Sequence, residues 1–354
     1  MRLHNPQWRG FASDNYAGVH PEVLQALADA NEGHQVSYGE DDYTTRLGEV
    51  IREHFGAQAE VFPVFNGTGA NVLSLTAMMP RWGAVICSSL AHIHTDEGAA
   101  PERVSGLKLY TVPHHEGKIT PEDIATEAFG FGDEHRAQPA VVSITQSSEL
   151  GTVYTAEEIA AIAHYAHDKG MLLHMDGARL WNASASLDMP FRAFTTELGV
   201  DVVSLGGTKN GVMGAEAIVV LNPDAVEGLI YLRKMSMQLA SKMRFVSTQL
   251  LALFDEGLGL ASARHANTMA ARLREALEER IREGAISGLA FSAPTQANGV
   301  FARLDPRVSD RIREKFRFYD WDRSVGEVRW MCSWDTTEAD IDGFVDTITT
   351  ELQA

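Results

Sequence analysis

The most chemically suggestive residues in this 354-residue chain are Lys209 and Asp176, 33 positions apart and each placed just after a run suited to a buried strand. Lys209 follows Ser204-Leu205-Gly206-Gly207-Thr208, and the two glycines let the backbone turn sharply and come close to a ligand. A lysine leaving the carboxyl end of a sheet can form a Schiff base with a carbonyl once burial or neighbours lower its pKa. On its own the segment reads equally well as a surface turn. Asp176 opens Asp176-Gly177-Ala178-Arg179. Its carboxylate can hold a cationic ring nitrogen, and Arg179 can reach an anion or a ring oxygen, although Asp-Gly alone is a common turn. Together the pair has a sharper meaning, because pyridoxal phosphate takes an aspartate for its ring nitrogen and a lysine for its aldehyde.

Upstream, Phe65-Asn66-Gly67-Thr68-Gly69-Ala70-Asn71 is a glycine/threonine turn leading into a helical stretch. Free N–H groups and the positive dipole end at such a helix start suit a phosphate, or serve only to cap the helix. The third glycine of a dinucleotide fingerprint and the spacing of a Walker loop are both missing. His92 and His94 have no third metal ligand at standard spacing, and His164 and His167 read as packed or solvated helix residues. No metal site is expected.

The elements that must position these groups follow from hydrophobic pattern. Short β-branched or apolar runs at 61–65, 84–88, 140–145, 171–175, 201–205 and 215–221 predict strands. A helix is expected over 70–79. Another follows Thr155, where Thr155-Ala156-Glu157-Glu158 forms a capping box, with Ile159, Ile162, Ala163 and Ala166 on one face and Gly170 as terminator. Strand–helix–strand alternation predicts an α/β fold with a mostly parallel, buried sheet. Past residue 228 the pattern becomes α+β: long helices over 230–253 and 258–283, strands around 299–304 and 327–332, and a final helix over 338–352. We therefore expect an N-terminal segment (1–20), a large domain (21–255) and a small C-terminal domain (256–354), with the boundary inside a long helix near 255.

Thirty Lys plus Arg against 48 Asp plus Glu give a net charge of −18, which repels a phosphate backbone and argues against nucleic acid. The two cysteines, Cys87 and Cys332, offer no disulfide framework. No apolar run reaches the ~18 residues of a membrane span, and the N-terminus has no signal-peptide core. A cytoplasmic protein is expected.

The ensemble resembles the low-specificity L-threonine aldolases, pyridoxal-phosphate enzymes of the aspartate-aminotransferase fold (fold type I). The matching stretches, in order, are SDNYAGVHPEV (13–23), SYGEDDYT (37–44), FNGTGANV (65–72), AHIHTDEGAA (91–100), HMDGARLWNA (174–183), GGTKNG (206–211), RKM (233–235) and, near the C-terminus, Val328-Arg329-Trp330. The resemblance implies Lys209 as the lysine bonded to the cofactor and Asp176 as the partner of its ring nitrogen. It also implies Gly67 and Thr68 as the phosphate cradle with Thr208 as a further contact, and His92 stacked on the ring. Ser13, Arg179 and Arg329 hold the substrate carboxylate in this reading, and Tyr38 and Glu97 lie in matching motifs near the substrate. A homotetramer or homodimer with sites at subunit interfaces is implied too. Two departures stand out: the better-known aldolases carry a histidine where this chain reads Thr145-Gln146-Ser147-Ser148-Glu149, and a glycine-rich run where it reads Ser236-Met237-Gln238-Leu239.

The implied reaction is cleavage of the Cα–Cβ bond of a β-hydroxy-α-amino acid, giving glycine and an aldehyde, with His92 or a water it positions as base. An aminotransferase or β-eliminating lyase on the same fold is the rival enzyme reading, opposed by Arg179 directly after Asp-Gly-Ala. A catalytically idle cofactor-binding relative is the third.

Overall fold

The computed structural model describes residues 3–353, so the first two positions of the expected 1–20 segment and the last of the 256–354 unit lie outside it. Seven strands form the main sheet: β1 (Glu60–Val64), β2 (Gly83–Ser88), β3 (Lys108–Val112), β4 (Gln138–Thr145), β5 (Leu172–Gly177), β6 (Val202–Gly206) and β7 (Glu216–Val220), in the order β1-β7-β6-β5-β4-β2-β3. β7 runs antiparallel to both its neighbours, and the other pairings are parallel. Thr145 pairs with Asp176 and Asp176 with Ser204, which brings the carboxyl ends of β4, β5 and β6 level. Open α/β sheets bind ligands at that edge.

The strand runs are apolar on both faces because both faces are covered. Val142 and Val203 enter one core with Leu47, Ile51 and Met243; Val141 and Val202 enter the opposite core with Leu73 and Ile218. Successive residues point to opposite sides, so continuous β-branched runs are what a doubly covered sheet requires. The capping box at Thr155 forms, with Glu158 N donating to Thr155 Oγ1 at 3.2 Å and Thr155 N donating to Glu158 Oε2 at 2.8 Å. Gly170 ends that stretch in the left-handed region at φ 74°.

The helix expected over 230–253 is two: Leu229–Met235 and Arg244–Phe254. Met237 takes φ 62°, and Gln238 Oε1 accepts from Phe65 N at 3.0 Å. A tertiary contact to the glycine/threonine turn thus overrides the local helical pattern. Near residue 255 the chain also turns rather than continuing a helix: Phe254 ends one helix, Glu256 sits at φ 46°, and Leu258 starts the helix Leu258–Arg282. Strand β3 and the amphipathic helices Pro21–Asp29 and Asp42–Phe55 are additions to the expected elements.

A second sheet joins β8 (Ala290–Phe291), β9 (Gly299–Arg303), β10 (Tyr319–Asp322) and β11 (Glu327–Met331), all antiparallel in the order β10-β11-β9-β8. Its core collects Leu273, Val300, Trp330 and Phe344, together with Phe11 from the N-terminal segment. Phe11 stacks on Phe344 at 4.2 Å, and Met331 N donates to Phe11 O at 2.8 Å. The N-terminal segment is therefore part of the small unit's core as it passes toward the main sheet. No helix among the described residues is long and apolar enough to cross a membrane.

Candidate active site

A cavity of 480 Å³ opens over the carboxyl ends of β4, β5 and β6, and ten of the eleven residues singled out by sequence line it: Ser13, Gly67, Thr68, His92, Glu97, Asp176, Arg179, Thr208, Lys209 and Arg329. Lys209 sits in the single turn Thr208–Asn210. That turn is fixed from below by Glu216, whose carboxylate accepts from Gly207 N at 3.0 Å and Thr208 N at 3.2 Å. Gly206 is required sterically, since a Cβ there would collide with the Ala178 carbonyl. Burial raises the Glu216 carboxyl above its ordinary value, opposed by its hydrogen bonds and the Lys209 charge. Lys209 Nζ itself has no hydrogen-bond partner among the described residues.

Asp176 is 4% exposed at the end of β5. Oδ1 accepts from Ala178 N at 3.0 Å and Oδ2 from Asn71 Nδ2 at 2.9 Å. Asn71 Nδ2 also donates to Glu97 Oε1 at 2.9 Å, and the same Glu97 oxygen lies 2.9 Å from His92 Nδ1. That hydrogen bond raises the His92 pKa, against the opposing effect of burial. Below Asp176, His174 is fully buried between the Ser143 and Ser204 hydroxyls at 2.9 and 3.0 Å, and burial holds it neutral by pushing its pKa to about 4.

Opposite lies a cationic end. Arg179 is gripped by Asp14 through Nε at 2.8 Å and Nη2 at 3.0 Å, with Asn298 Nδ2 donating to the same carboxylate at 3.2 Å. Burial works to raise the Asp14 carboxyl, and the Arg179 and Lys209 charges bring it below its ordinary value all the same. Arg329, on β11, donates to Ala12 O at 3.3 Å and lies over the Trp321 ring at 5.3 Å. Burial, reinforced by the nearby Arg179 charge, lowers its pKa to about 10. Its Nε is buried without a partner.

At the third side the helix Gly67–Met78 starts beneath the cavity. Asn66 caps it by accepting from Gly69 N at 2.7 Å, which leaves the Gly67 and Thr68 N–H groups without intrahelical partners. A Cβ on Gly67 would meet nothing within 4 Å. These features fit pyridoxal phosphate: an unpartnered amine, a buried carboxylate for the ring nitrogen, an imidazole beside the ring position and free amides for the phosphate. Buried polar atoms without protein partners on the same walls, Asn71 Oδ1, Glu97 Oε2, Ser147 Oγ, Glu149 Oε2 and Arg329 Nε, offer a bound ligand further polar contacts.

Tyr38 stands apart from the other ten. It does not line the cavity of its own chain; it stands 46% exposed on a turn at φ 62°, with Lys234 Nζ 4.8 Å from its ring centre. Sequence reasoning passed over Asp14, Asn71 and Glu216. Asp14 and Asn71 lay inside the quoted motifs SDN and GTGAN, beside residues chosen as ligands, and Glu216 had no motif signal at all.

The beta-eliminating lyase family model matches residues 10–303. The chain is 42% identical to the low specificity L-threonine aldolase of Pseudomonas sp. (strain NCIMB 10558), covering 94% of this chain and 95% of that one. It is 32% identical to the low specificity L-threonine aldolase of Saccharomyces cerevisiae over 51% of this chain and 47% of that one. Among solved structures, Leishmania major threonine aldolase superposes with a TM-score of 0.90 at 28% identity, over 97% of this chain and 99% of that chain. A putative histidinol-phosphate aminotransferase of Erwinia carotovora atroseptica, at TM-score 0.71 and 15% identity over 97% and 95% of the two chains, shares the fold.

Proposed function

From the premise that the chain belongs to the beta-eliminating lyase family, in its low-specificity L-threonine aldolase branch, we propose that it is a pyridoxal-phosphate-dependent aldehyde-lyase. It cleaves L-threonine, L-allo-threonine and related β-hydroxy-α-amino acids such as phenylserine to glycine and an aldehyde. The observation that carries this reading is convergence: Lys209, Asp176, His92, Arg179 and Arg329 line one cavity although they come from β11, three separate parts of the main-sheet body and its turns.

Bound pyridoxal phosphate supplies an aldehyde for the substrate amine and a sink for the electron pair left at Cα. In this reading Lys209 Nζ holds the cofactor, Asp176 keeps its ring nitrogen protonated, and Gly67, Thr68 and Thr208 hold the phosphate. His92 covers the ring. Ser13, Arg179 and Arg329 would grip the substrate carboxylate and so orient the amino acid at Cα. This orientation, rather than any group reserved for transamination, selects carbon–carbon cleavage. Nδ1 of His92 is committed to Glu97, and that hydrogen bond raises its pKa, so at any given pH less of it is the free base than for an ordinary imidazole.

Residues 21–255 form the body that carries most of the site, the segment 1–20 adds Ser13, and 256–354 is the smaller unit that delivers Arg329. Tyr38, Phe65, Met213, Met235 and Met237 stand exposed, and Phe65 and Met213 also border the cavity. Exposed apolar side chains at the mouth of the site, Phe65 and Met213, suit contact with a second copy of the chain, completing a homodimer or homotetramer whose sites lie at the interface. The two buried free thiols suit a reducing cytoplasm. Incubating the purified protein and cofactor with threonine, allo-threonine and phenylserine tests the activity. Aldehyde and glycine in equal amounts are expected, whereas oxo-acid formation from an amino acid and a keto acid, without aldehyde, would assign an aminotransferase.

A further inference from the structure

The segment in which this chain departs from the better-known aldolases forms one wall of the cavity: Thr145, Ser147 and Glu149 all line it. Two of its polar atoms are buried without partners, Ser147 Oγ and Glu149 Oε2, and Ser147 is only 2% exposed. The other oxygen of Glu149 is fixed in place, accepting from Thr145 Oγ1 at 2.7 Å and His92 N at 3.0 Å. A carboxylate held by two donors with its second oxygen unpaired lacks one donor, and a hydroxyl oriented by an unpaired serine is the complement. Resting on the aldolase reading above, we propose that Ser147 and Glu149 form the subsite for the substrate's β-hydroxyl, with Glu149 as the base that takes its proton.

The hydroxyl proton passes to Glu149, the O–H pair becomes the second bond of the aldehyde carbonyl, and the Cα–Cβ bond breaks with its pair left at Cα. Ser147 Oγ–H donates to the oxygen as charge develops there. Glu149 then returns its proton to cavity water and an equivalent proton is added at Cα, giving glycine. The groups around Glu149 suit this cycle. Burial raises its carboxyl to about 7, Asp176 reinforces the shift by repulsion, and the Thr145 and His92 donors oppose it. Cys87 on β2 and Tyr154 also feel its charge, and burial keeps both of them protonated. A base near the working pH is what proton transfer favours.

The experiment compares wild type with Glu149→Gln and Ser147→Ala as holoenzymes, in two reactions, and titrates the apo chains. Cleavage of phenylserine requires loss of the β-hydroxyl proton, whereas exchange of a glycine α-hydrogen with deuterated water does not. Glu149→Gln should lower kcat for cleavage by about 10²- to 10⁴-fold and glycine exchange by far less. Ser147→Ala should give the same pattern on a smaller scale. Difference infrared spectroscopy of the cofactor-free proteins, wild type minus Glu149→Gln, should show one carboxyl titrating near 7. Equal losses in both reactions would reduce Glu149 to a structural part and overturn the inference; so would undiminished cleavage, or no such titration. If wild type exchanges glycine but releases no aldehyde from any β-hydroxy substrate, the aldolase reading itself fails and takes this inference with it.

Discussion

Asp14 grips Arg179 across 165 residues of sequence, through Nε at 2.8 Å and Nη2 at 3.0 Å, and its own side chain is 1% exposed. The pair ties the N-terminal segment to the turn after β5, beside a second guanidinium on β11. One carboxylate thus offsets two cations that face the same cavity. The N-terminal segment, through Ser13 and Asn15, is a wall of the site.

Asp14→Ala should therefore do more than loosen a terminus. Removing one partner of a buried ion pair strands the other charge, here next to Arg329, at a cost of roughly 3–5 kcal/mol. Urea unfolding should register that loss, and KM for amino acids should rise as Arg179 swings free. Asp14→Asn keeps the shape but not the charge, so it should fall between. Unchanged stability in both variants would mean the pair contributes nothing.

Lys209→Ala should abolish aldehyde release and covalent cofactor attachment, because no other lysine lines the cavity. Borohydride treatment followed by mass spectrometry reads this directly: the wild type carries the adduct on the peptide containing residue 209, and the variant carries none. Attachment persisting elsewhere would remove Lys209 from its role.

Arg329→Leu should raise KM by about 10- to 100-fold, the loss expected for one charge-assisted contact, while cofactor content stays normal. Steady-state kinetics and the absorption spectrum separate the two effects. Loss of bound cofactor would instead place Arg329 against the phosphate.

Much of this candidate site was legible because its residues sit where strands end. Asp176 and Lys209 could be placed from short apolar runs followed by glycine, and the register that levels Thr145, Asp176 and Ser204 is set by the same runs. Six of the seven main-sheet strands announced themselves, since a sheet buried on both faces needs continuous apolar stretches. What stayed hidden depends on contacts distant in sequence. The break after Met235 answers to Phe65 through Gln238, and no local pattern encodes that bond. Asp14 and Glu216 were invisible as site residues because they hold a side chain or a turn, and their types mean nothing until their partners are known. Tyr38 illustrates the converse: its motif matched, yet a single chain leaves it outside the cavity.

Asp176→Asn should cut turnover strongly at little cost to the fold. The amide still accepts from Ala178 N but cannot stabilise a protonated ring nitrogen as a carboxylate does. Comparing kcat with the thermal midpoint checks this, and wild-type turnover would overturn the assignment.

The Glu149 carboxyl predicts a pH signature in stability that needs no substrate. Burial raises it from an ordinary 4.5 to about 7, so the folded chain holds this proton more tightly than the unfolded chain does. Stability from that preference is fully present below about 4.5 and is lost as pH rises through about 7. The gap corresponds to about 3 kcal/mol. Glutamine cannot ionise, and its carbonyl still accepts from Thr145 and His92, so Glu149→Gln should escape this loss. The melting temperature of the variant relative to wild type should accordingly climb steadily from pH 5 to about 7 and level off above that. A difference that stays flat across this range would mean that Glu149 titrates like a solvated carboxylate, and that the cavity wall does not shield it.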